Sequence, residues 1–220
     1  MKLERVLEPE VMDSAQDALE YDSMDHATVN HVFADDFLSA HPGTSSILDV
    51  GTGTARIPIE ICQRDRQAHV VAIDLSPSML DLAQANVSIE GLTDRIRLRL
   101  VDAKQSPFAD DLFSAVISNS IVHHIPDPSF VLAEVVRVVR PGGLIFLRDL
   151  LRPPDRDTLE HLVEVYAAGA SSHQQKLFAE SLGAALSIEE MRALASAAGI
   201  DPRSVTATSD RHWTLSAHKE

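Results

Sequence analysis

The chain has 220 residues, 45% of them hydrophobic and 24% charged, which is the composition of one ordinary globular domain with room for a core. Its formal net charge of -14 at pH 7 repels phosphate backbones and argues against nucleic acid as a partner. The single cysteine, Cys62, excludes an intramolecular disulfide and fits a reducing compartment.

Two patterns bear on location. No apolar run approaches the roughly 20 residues that a bilayer span needs. The first twenty residues are charged throughout and do not resemble a signal peptide. We therefore expect a cytoplasmic protein with no membrane partner.

Strand and helix patterns alternate from about residue 46 onward, after a first segment, residues 1–45, that looks helical and has no strand. The predicted strands are, in chain order, SILDV, HVVAID, RIRLRLVD, FSAVISN and LIFLRDL. Predicted helices lie between them on ARIPIEICQRD, SPSMLDLAQANVSIEG and PSFVLAEVVRVVRPGG, and we expect the third to end at Pro141 and Gly142. This alternation is typical of a parallel sheet with helices on both faces.

The end of the chain has a different pattern. Two or three helical stretches occupy residues 152–199, and residues 203–208 and 211–217 predict an antiparallel hairpin. We divide the single domain 1–220 into an N-terminal helical lid (1–45), a cofactor-binding core (46–151), a helical cap (152–199) and a closing hairpin (200–220). Apolar residues of the cap could cover an acceptor pocket or form the surface of a homodimer.

The first strand leads into a glycine-containing loop. Gly51 and Gly53 have no Cβ, so the backbone there can approach a ligand closely. A dinucleotide fingerprint would need a third glycine at position 56, where Arg56 stands. Asp49, two residues before Gly51, disfavours a pyrophosphate and favours a cation such as an ammonium or a sulfonium.

Carboxylates also close the next two strands, and ligands in parallel sheets lie at the carboxyl ends of strands. Asp74 can accept hydrogen bonds from both hydroxyls of a ribose. Asp102 can accept from the amine of an adenine, to which the N–H of Ala103 can donate. Leu75 and Met79 could form the apolar faces of an adenine slot. Three carboxylates in register at successive strand ends therefore predict a site for an adenosine ligand.

These residues resemble the class I S-adenosylmethionine-dependent methyltransferases, in their small-molecule branch. The D-x-G-x-G pattern of that family appears as Asp49-Val50-Gly51-Thr52-Gly53, with Ala55 where many members have a third glycine. The ribose acid appears as Asp74 and the "DA" pair as Asp102-Ala103. The segment SNSIVHHIPDPSFVLAEVVRVVRPGGLIFLRD resembles the family's fourth-strand to fifth-strand region. The match covers about residues 45–150 well and 187–217 loosely.

The resemblance implies S-adenosyl-L-methionine as the cofactor. It implies a Rossmann-like, doubly wound α/β fold of seven strands in the order 3-2-1-4-5-7-6, with the last strand antiparallel. Thr52 in the first loop and Asn119 at the end of the fourth strand are then expected to contact the cofactor. Tyr21, in an N-terminal region that often folds over the cofactor in this family, is expected to belong to the lid.

Candidate residues on the acceptor side follow the fourth and fifth strands. Methyl transfer mainly requires alignment and exclusion of water, so the chain need not contain a catalytic residue at all. His123 and His124 lie where the methyl group should point and could act as a base or position the acceptor, although many family members have a histidine at the second place without using it so. Arg148 and Asp149 close the fifth strand and could hold a polar or acidic acceptor, or form a salt bridge with the neighbouring cap. We take His123, His124 and Asp149 as the candidate catalytic residues and predict no metal site.

Three other functions stay open from the sequence. An NAD-dependent oxidoreductase could use a similar fold. The alternating Arg95, Arg97 and Arg99 would suit an RNA methyltransferase, or the acceptor could be a protein. A non-catalytic protein could keep the pocket to sense the cofactor. A methyltransferase acting on a small molecule is the main prediction.

Overall fold

The computed structural model describes residues 2–8, 18–19, 22, 27–40 and 46–220. Seven strands form one sheet in the order β3-β2-β1-β4-β5-β7-β6, as predicted. The strands are β1 (Ile47–Val50), β2 (Val70–Asp74), β3 (Ile96–Leu100), β4 (Phe113–Asn119), β5 (Val139–Leu150), β6 (Val205–Ala207) and β7 (His212–His218). The first five pair in parallel, and β7 pairs antiparallel with both β5 and β6.

Helices cover both faces of the sheet. They are α1 (Ala27–Ala40), α2 (Arg56–Arg64), α3 (Pro77–Ile89), α4 (Ser129–Val138), α5 (Arg156–Tyr166), α6 (Ser172–Ala184) and α7 (Ile188–Ala197). Successive β1 residues point to opposite faces, so Ile47 joins the core under α1 to α3 while Leu48 joins the core under α4 and α7. Within the described part of the chain, no helix is long and apolar enough to span a membrane.

Local signals explain where several helices begin. The hydroxyl of Ser76 accepts a hydrogen bond from the N–H of Met79 at 3.2 Å, and Pro77 occupies the first turn, as predicted. Ser187 and Glu190 form a capping box at the start of α7, in which each side chain bonds the backbone of the other residue. These caps fix the residues at which α3 and α7 begin.

The boundary between α4 and β5 differs from the prediction. The helix ends at Val138, before Pro141, and the chain enters β5 at once. Val139 pairs with Phe113, after which the register shifts until Leu144 pairs with Ala115. The buried, β-branched Val139 favours a strand, and Pro141 lies in the irregular stretch, where its missing N–H interrupts no ladder.

The N-terminal strap, residues 2–8, also differs from the helical expectation for residues 1–45. It has no helical turns and lies across the cap, where Leu3 N–H donates to Pro154 O at 3.0 Å and Val6 N–H donates to Gly183 O at 3.1 Å. Glu8 precedes Pro9, which disfavours helical backbone at that residue. Helix α1 in the same region fits the expectation.

Candidate functional site

A cavity of about 540 Å³ lies at the carboxyl ends of the parallel strands. Eleven of the residues predicted for the site line this cavity, ten of them predicted cofactor contacts and one a predicted catalytic residue. They are Asp49, Gly51, Thr52, Gly53, Asp74, Leu75, Met79, Asp102, Ala103, Asn119 and His124. Tyr21 lies outside the described residues, although its neighbour Asp22 is also in the wall.

Packing against the rest of the protein, and not only space for a ligand, requires glycine in this loop. Gly51 has φ 73°, and a Cβ there would lie 2.1 Å from Cγ2 of Ile121. Gly53 has φ 54°, and Ala55, in the place of a third glycine, also adopts the left-handed region with φ 62°. The chain therefore makes the same turn with alanine, at the steric cost that L-residues have in that region.

Asp74 is held in place by the backbone around it. Its Oδ2 accepts a hydrogen bond from Gly53 N–H at 2.8 Å, and its Oδ1 accepts from Ser76 N–H at 2.9 Å. Burial raises the pKa of this carboxyl, although the donated backbone hydrogen bonds oppose the shift. The carboxylate is thus preoriented at the cavity wall and has lone pairs left for ribose hydroxyls.

Asp49 is the most buried carboxyl of the cavity wall, with 2% of its surface exposed. Burial raises the pKa of Asp49 to about 7, and the nearby Asp74 contributes to the rise. A carboxyl in this environment gains most from a cationic ligand, because a cation offsets the cost of keeping the charge away from water.

Other residues of the cavity wall are more exposed than Asp49. The Asp102 side chain is 41% exposed, and its Oδ1 accepts a hydrogen bond from Lys104 N–H at 2.9 Å. Leu75 is also 40% exposed, whereas Met79 is buried. An exposed leucine side chain beside a carboxylate suits the edge and face of a flat heteroaromatic ring.

The first turn of α2 is tied to the N-terminal region. Arg56 donates to both carboxylate oxygens of Asp22, at 3.0 and 2.8 Å, and these hydrogen bonds help to lower the pKa of Asp22 against the effect of burial. Asn86 on α3 donates to Thr54 O at 3.0 Å and contacts the same aspartate at 3.3 Å. Arg56 is therefore engaged in a bidentate ion pair at the position where a dinucleotide loop has glycine.

The candidate acceptor residues divide between the cavity wall and the layer behind it. His124 lines the cavity, whereas His123 and Asp149 are 4% and 1% exposed. Asp149 Oδ1 lies 2.5 Å from Nδ1 of His123, and Oδ2 accepts from the N–H of Val122 at 2.5 Å. Burial by itself would raise the pKa of Asp149, but the charge and hydrogen bond of His123 hold it below its usual value. Asp149 is thus hydrogen-bonded to His123 in the layer behind the cavity wall.

Arg148 forms a salt bridge, which is one of the two roles that the sequence left open, but its partner lies on α1. It donates to Asp36 on α1 at 2.6 Å and to the hydroxyl of Thr214 at 2.8 Å, and it lies over the rings of Phe33 and Phe146. Consecutive strand residues point to opposite faces, so Arg148 and Asp149 cannot serve one site.

Two residues of the N-terminal strap were missed by the sequence analysis. Arg5 donates to Ala184 O at 2.7 Å and to Ile125 O at 2.9 Å. Glu8 Oε1 lies 3.3 Å from Nε2 of His123 and 3.0 Å from Nδ1 of His124. No local motif marks these residues, because their partners are more than a hundred positions away in the chain.

Comparisons with known proteins agree with this geometry. Residues 48–147 match the family model described as a methyltransferase domain. The ubiquinone/menaquinone biosynthesis C-methyltransferase UbiE of Desulfotalea psychrophila is 34% identical over 125 residues, which are 57% of this chain and 49% of that protein. The chain spans about half the length of the curated relatives that it matches.

Solved structures share the whole fold at low identity. A SAM-dependent methyltransferase from Aquifex aeolicus has a TM-score of 0.70 and 16% identity, covering 94% of this chain and 99% of that one. The plantazolicin methyltransferase BpumL, in complex with S-adenosylhomocysteine, has a TM-score of 0.66 and 18% identity, covering 83% and 68%. The two structures are thus described, respectively, as dependent on S-adenosylmethionine and as bound to its demethylated product. Residues 48–147 thus match the model of a methyltransferase domain, and the chain that contains them has the fold of the class I S-adenosylmethionine-dependent methyltransferases.

Proposed function

We propose that the chain transfers the methyl group of S-adenosylmethionine to a small-molecule acceptor. The observation that carries this proposal is the buried Asp49 at the wall of a cavity that Asp74 and Asp102 also line. A buried carboxyl beside two further carboxyls is unfavourable for a phosphate-containing ligand. It favours a ligand that brings a positive charge together with a ribose and an adenine.

In the proposed complex, each strand end serves one part of the cofactor. Asp49, with the loop Gly51–Gly53, faces the charged amino-acid portion, and Thr52 and Asn119 contribute polar groups to the same wall. Asp74 accepts from the ribose hydroxyls. Asp102, Ala103, Leu75 and Met79 surround the adenine. The N-terminal region is the proposed lid, which the pair of Arg56 with Asp22 supports.

The chemistry asks little of the protein beyond positioning. An acceptor lone pair attacks the methyl carbon in line with the carbon–sulfur bond, whose electron pair stays on sulfur and yields S-adenosylhomocysteine. An acceptor that carries a proton releases it to a base or to water. His124 is the candidate at the cavity wall, while His123 and Asp149 lie behind it and act through position.

A small molecule is the acceptor class that the observations favour. The names of the similar proteins point to quinone biosynthesis and to plantazolicin. The net charge of -14 opposes binding of RNA. Arg97 and Arg99, which suggested RNA, lie on the edge strand β3, where charged side chains are common.

Location and assembly are further parts of the proposal. We place the reaction in the cytoplasm because a single, buried cysteine fits a reducing compartment. A homodimer formed through the cap is supported by the apolar side chains of Val165 and Tyr166, which are 52% and 44% exposed on α5.

Calorimetry with S-adenosylhomocysteine tests the cofactor site. The wild-type chain should bind it at one saturable site, and Asp74→Ala should weaken binding at least about tenfold, because hydrogen bonds to a charged group are lost. Asp81→Ala, which removes an exposed carboxyl from α3, is the matched control and should keep the wild-type affinity.

Wild-type protein that shows no binding at high micromolar concentration would contradict the proposal. Saturable binding of NADH in its place, measured by fluorescence, would favour the oxidoreductase alternative. Binding of the cofactor without turnover across acceptor classes would favour the sensing alternative.

A further inference from the structure

The N-terminal strap and the turn after β4 together build a cluster of three side chains beside the cofactor cavity. Glu8 Oε1 lies 3.3 Å from Nε2 of His123 and 3.0 Å from Nδ1 of His124. The three ligand atoms all lie within 4.8 Å of one another. Among the residues that the structure describes, this is the one group of three such side chains arranged to hold a cation.

The surroundings of His123 define which of its nitrogens is available. Its Nδ1 lies 2.5 Å from Asp149 Oδ1, so that nitrogen carries the proton of the hydrogen bond. Nε2, the other nitrogen of the ring, faces Glu8 Oε1 at a distance of 3.3 Å. A cation between these two atoms would have both of them as ligands.

Asp149 has the position of an outer-shell carboxylate. A histidine that binds a metal usually donates its other N–H to a carboxylate or a carbonyl, which fixes the ring and raises its basicity. The carboxylate of Asp149 is itself fixed by Val122 N–H at 2.5 Å and His123 N–H at 3.2 Å.

The distances also fit the coordination shell of a small divalent cation. A tetrahedral site with arms of about 2.0–2.1 Å has edges of about 3.3 Å. The two measured separations from Glu8, 3.3 and 3.0 Å, are close to that edge. Two imidazoles and one carboxylate are donors that suit Zn²⁺ and its transition-metal neighbours, whereas Ca²⁺ and Mg²⁺ prefer oxygen alone.

We propose that Glu8, His123 and His124 bind one divalent transition-metal cation of the Zn²⁺ class. Three protein ligands leave a fourth position for water or for an oxygen of an acceptor. His124 lies in the wall of the cofactor cavity, so the cation sits between the cavity and the strap. The sequence analysis predicted no metal site at the paired histidines. Glu8 reaches them only through the path of the strap.

Cobalt(II) is the probe of choice, because its visible absorption reports coordination without any enzymatic turnover. The full chain, stripped with a chelator, is titrated with Co²⁺ and then with Zn²⁺. We expect an absorption band that saturates at one equivalent and disappears when Zn²⁺ displaces the cobalt. Glu8→Gln and His123→Ala should each weaken binding at least about tenfold, and Asp149→Asn should weaken it by about 10–100-fold.

Glu4→Gln is the matched control, because it removes an exposed carboxylate from the same strap and should bind Co²⁺ like the wild type. Glu8 lies outside the sheet and its core, so Glu8→Gln should fold. This variant therefore tests the site even if His123→Ala does not fold. The absence of saturable binding below about 100 μM would overturn the proposal and assign the gap between His123 and Glu8 to a proton. Saturable binding that Glu8→Gln and His123→Ala leave unchanged would overturn it as well. The result is independent of S-adenosylhomocysteine binding, so it stands or falls separately from the methyltransferase assignment.

Discussion

At the scale of one residue, the buried carboxyl of Asp49 in the cavity wall reduces the stability of the fold. Its pKa is about 7 in the ligand-free chain, against 3.8 for an unperturbed aspartate. The folded state therefore holds more protons than the unfolded state between about pH 4 and pH 7. As pH rises through that window, this group lowers the free energy of unfolding.

Asp49→Asn tests this effect on stability, because the amide removes the charge and keeps the shape of the side chain. The free energy of unfolding of Asp49→Asn, measured with denaturant, should exceed that of the wild type at pH 8, and the difference should shrink by pH 5.

The affinity of the wild type for S-adenosylhomocysteine should rise with pH up to about 7, by about tenfold per unit well below that value. An affinity that is flat from pH 5 to pH 8 would show that Asp49 does not pair with the ligand.

Gly51 illustrates a second residue-scale constraint, which comes from packing. A Cβ at Gly51 would lie 2.1 Å from Ile121, whereas a Cβ at Gly91, with a similar φ of 66°, would meet no atom within 4 Å. Gly91→Ala should cost about 1–2 kcal/mol from backbone strain alone, and Gly51→Ala should cost about 1–3 kcal/mol more from overpacking.

Denaturant unfolding of the two variants measures this difference. Adding Ile121→Ala to Gly51→Ala should recover the packing part of the loss but leave the backbone part. Equal losses in Gly51→Ala and Gly91→Ala would mean that the loop can shift away from Ile121.

At the scale of elements, the N-terminal strap is the part of the structure that differs most from the sequence prediction. Arg5 joins the carbonyl of Ala184 at the end of α6 to that of Ile125 beyond β4. Removal of the guanidinium leaves these part-buried carbonyls with one donor fewer. Arg5→Ala should therefore lower stability by about 1–3 kcal/mol and loosen residues 2–8 first.

Hydrogen exchange tests this prediction directly. The amides of Leu3 and Val6, which donate to Pro154 and Gly183, should lose protection in Arg5→Ala while those of β1 and β4 keep theirs. Lys2→Ala, at an exposed position of the same segment, is the control. Unchanged protection at Val6 would show that the backbone hydrogen bonds alone hold the strap.

For the whole molecule, the order of the sheet could be predicted because the chain resembles a family that has this order. The position of the cavity could be predicted from local patterns, because Asp49, Asp74 and Asp102 lie at or next to strand ends that parallel pairing brings together. The Glu8 contact could not be predicted, because it depends on a non-helical path far from the histidines. The start of β5 could not be predicted either. Pro141 and Gly142 indicate the end of a helix, but they do not show that the strand begins before them.

The docking of the strap also has a consequence for the order of events during synthesis. Residues 2–8 are synthesised before the strands, yet Gly183 and Ala184, which hold Val6 and Arg5, are made only after the first five strands are complete. Contacts of such long sequence separation form late, because a large loop must close before they are gained. The contacts of Glu8 with His123 and His124 therefore form late, and a nascent chain with a finished cofactor loop still lacks the docked strap.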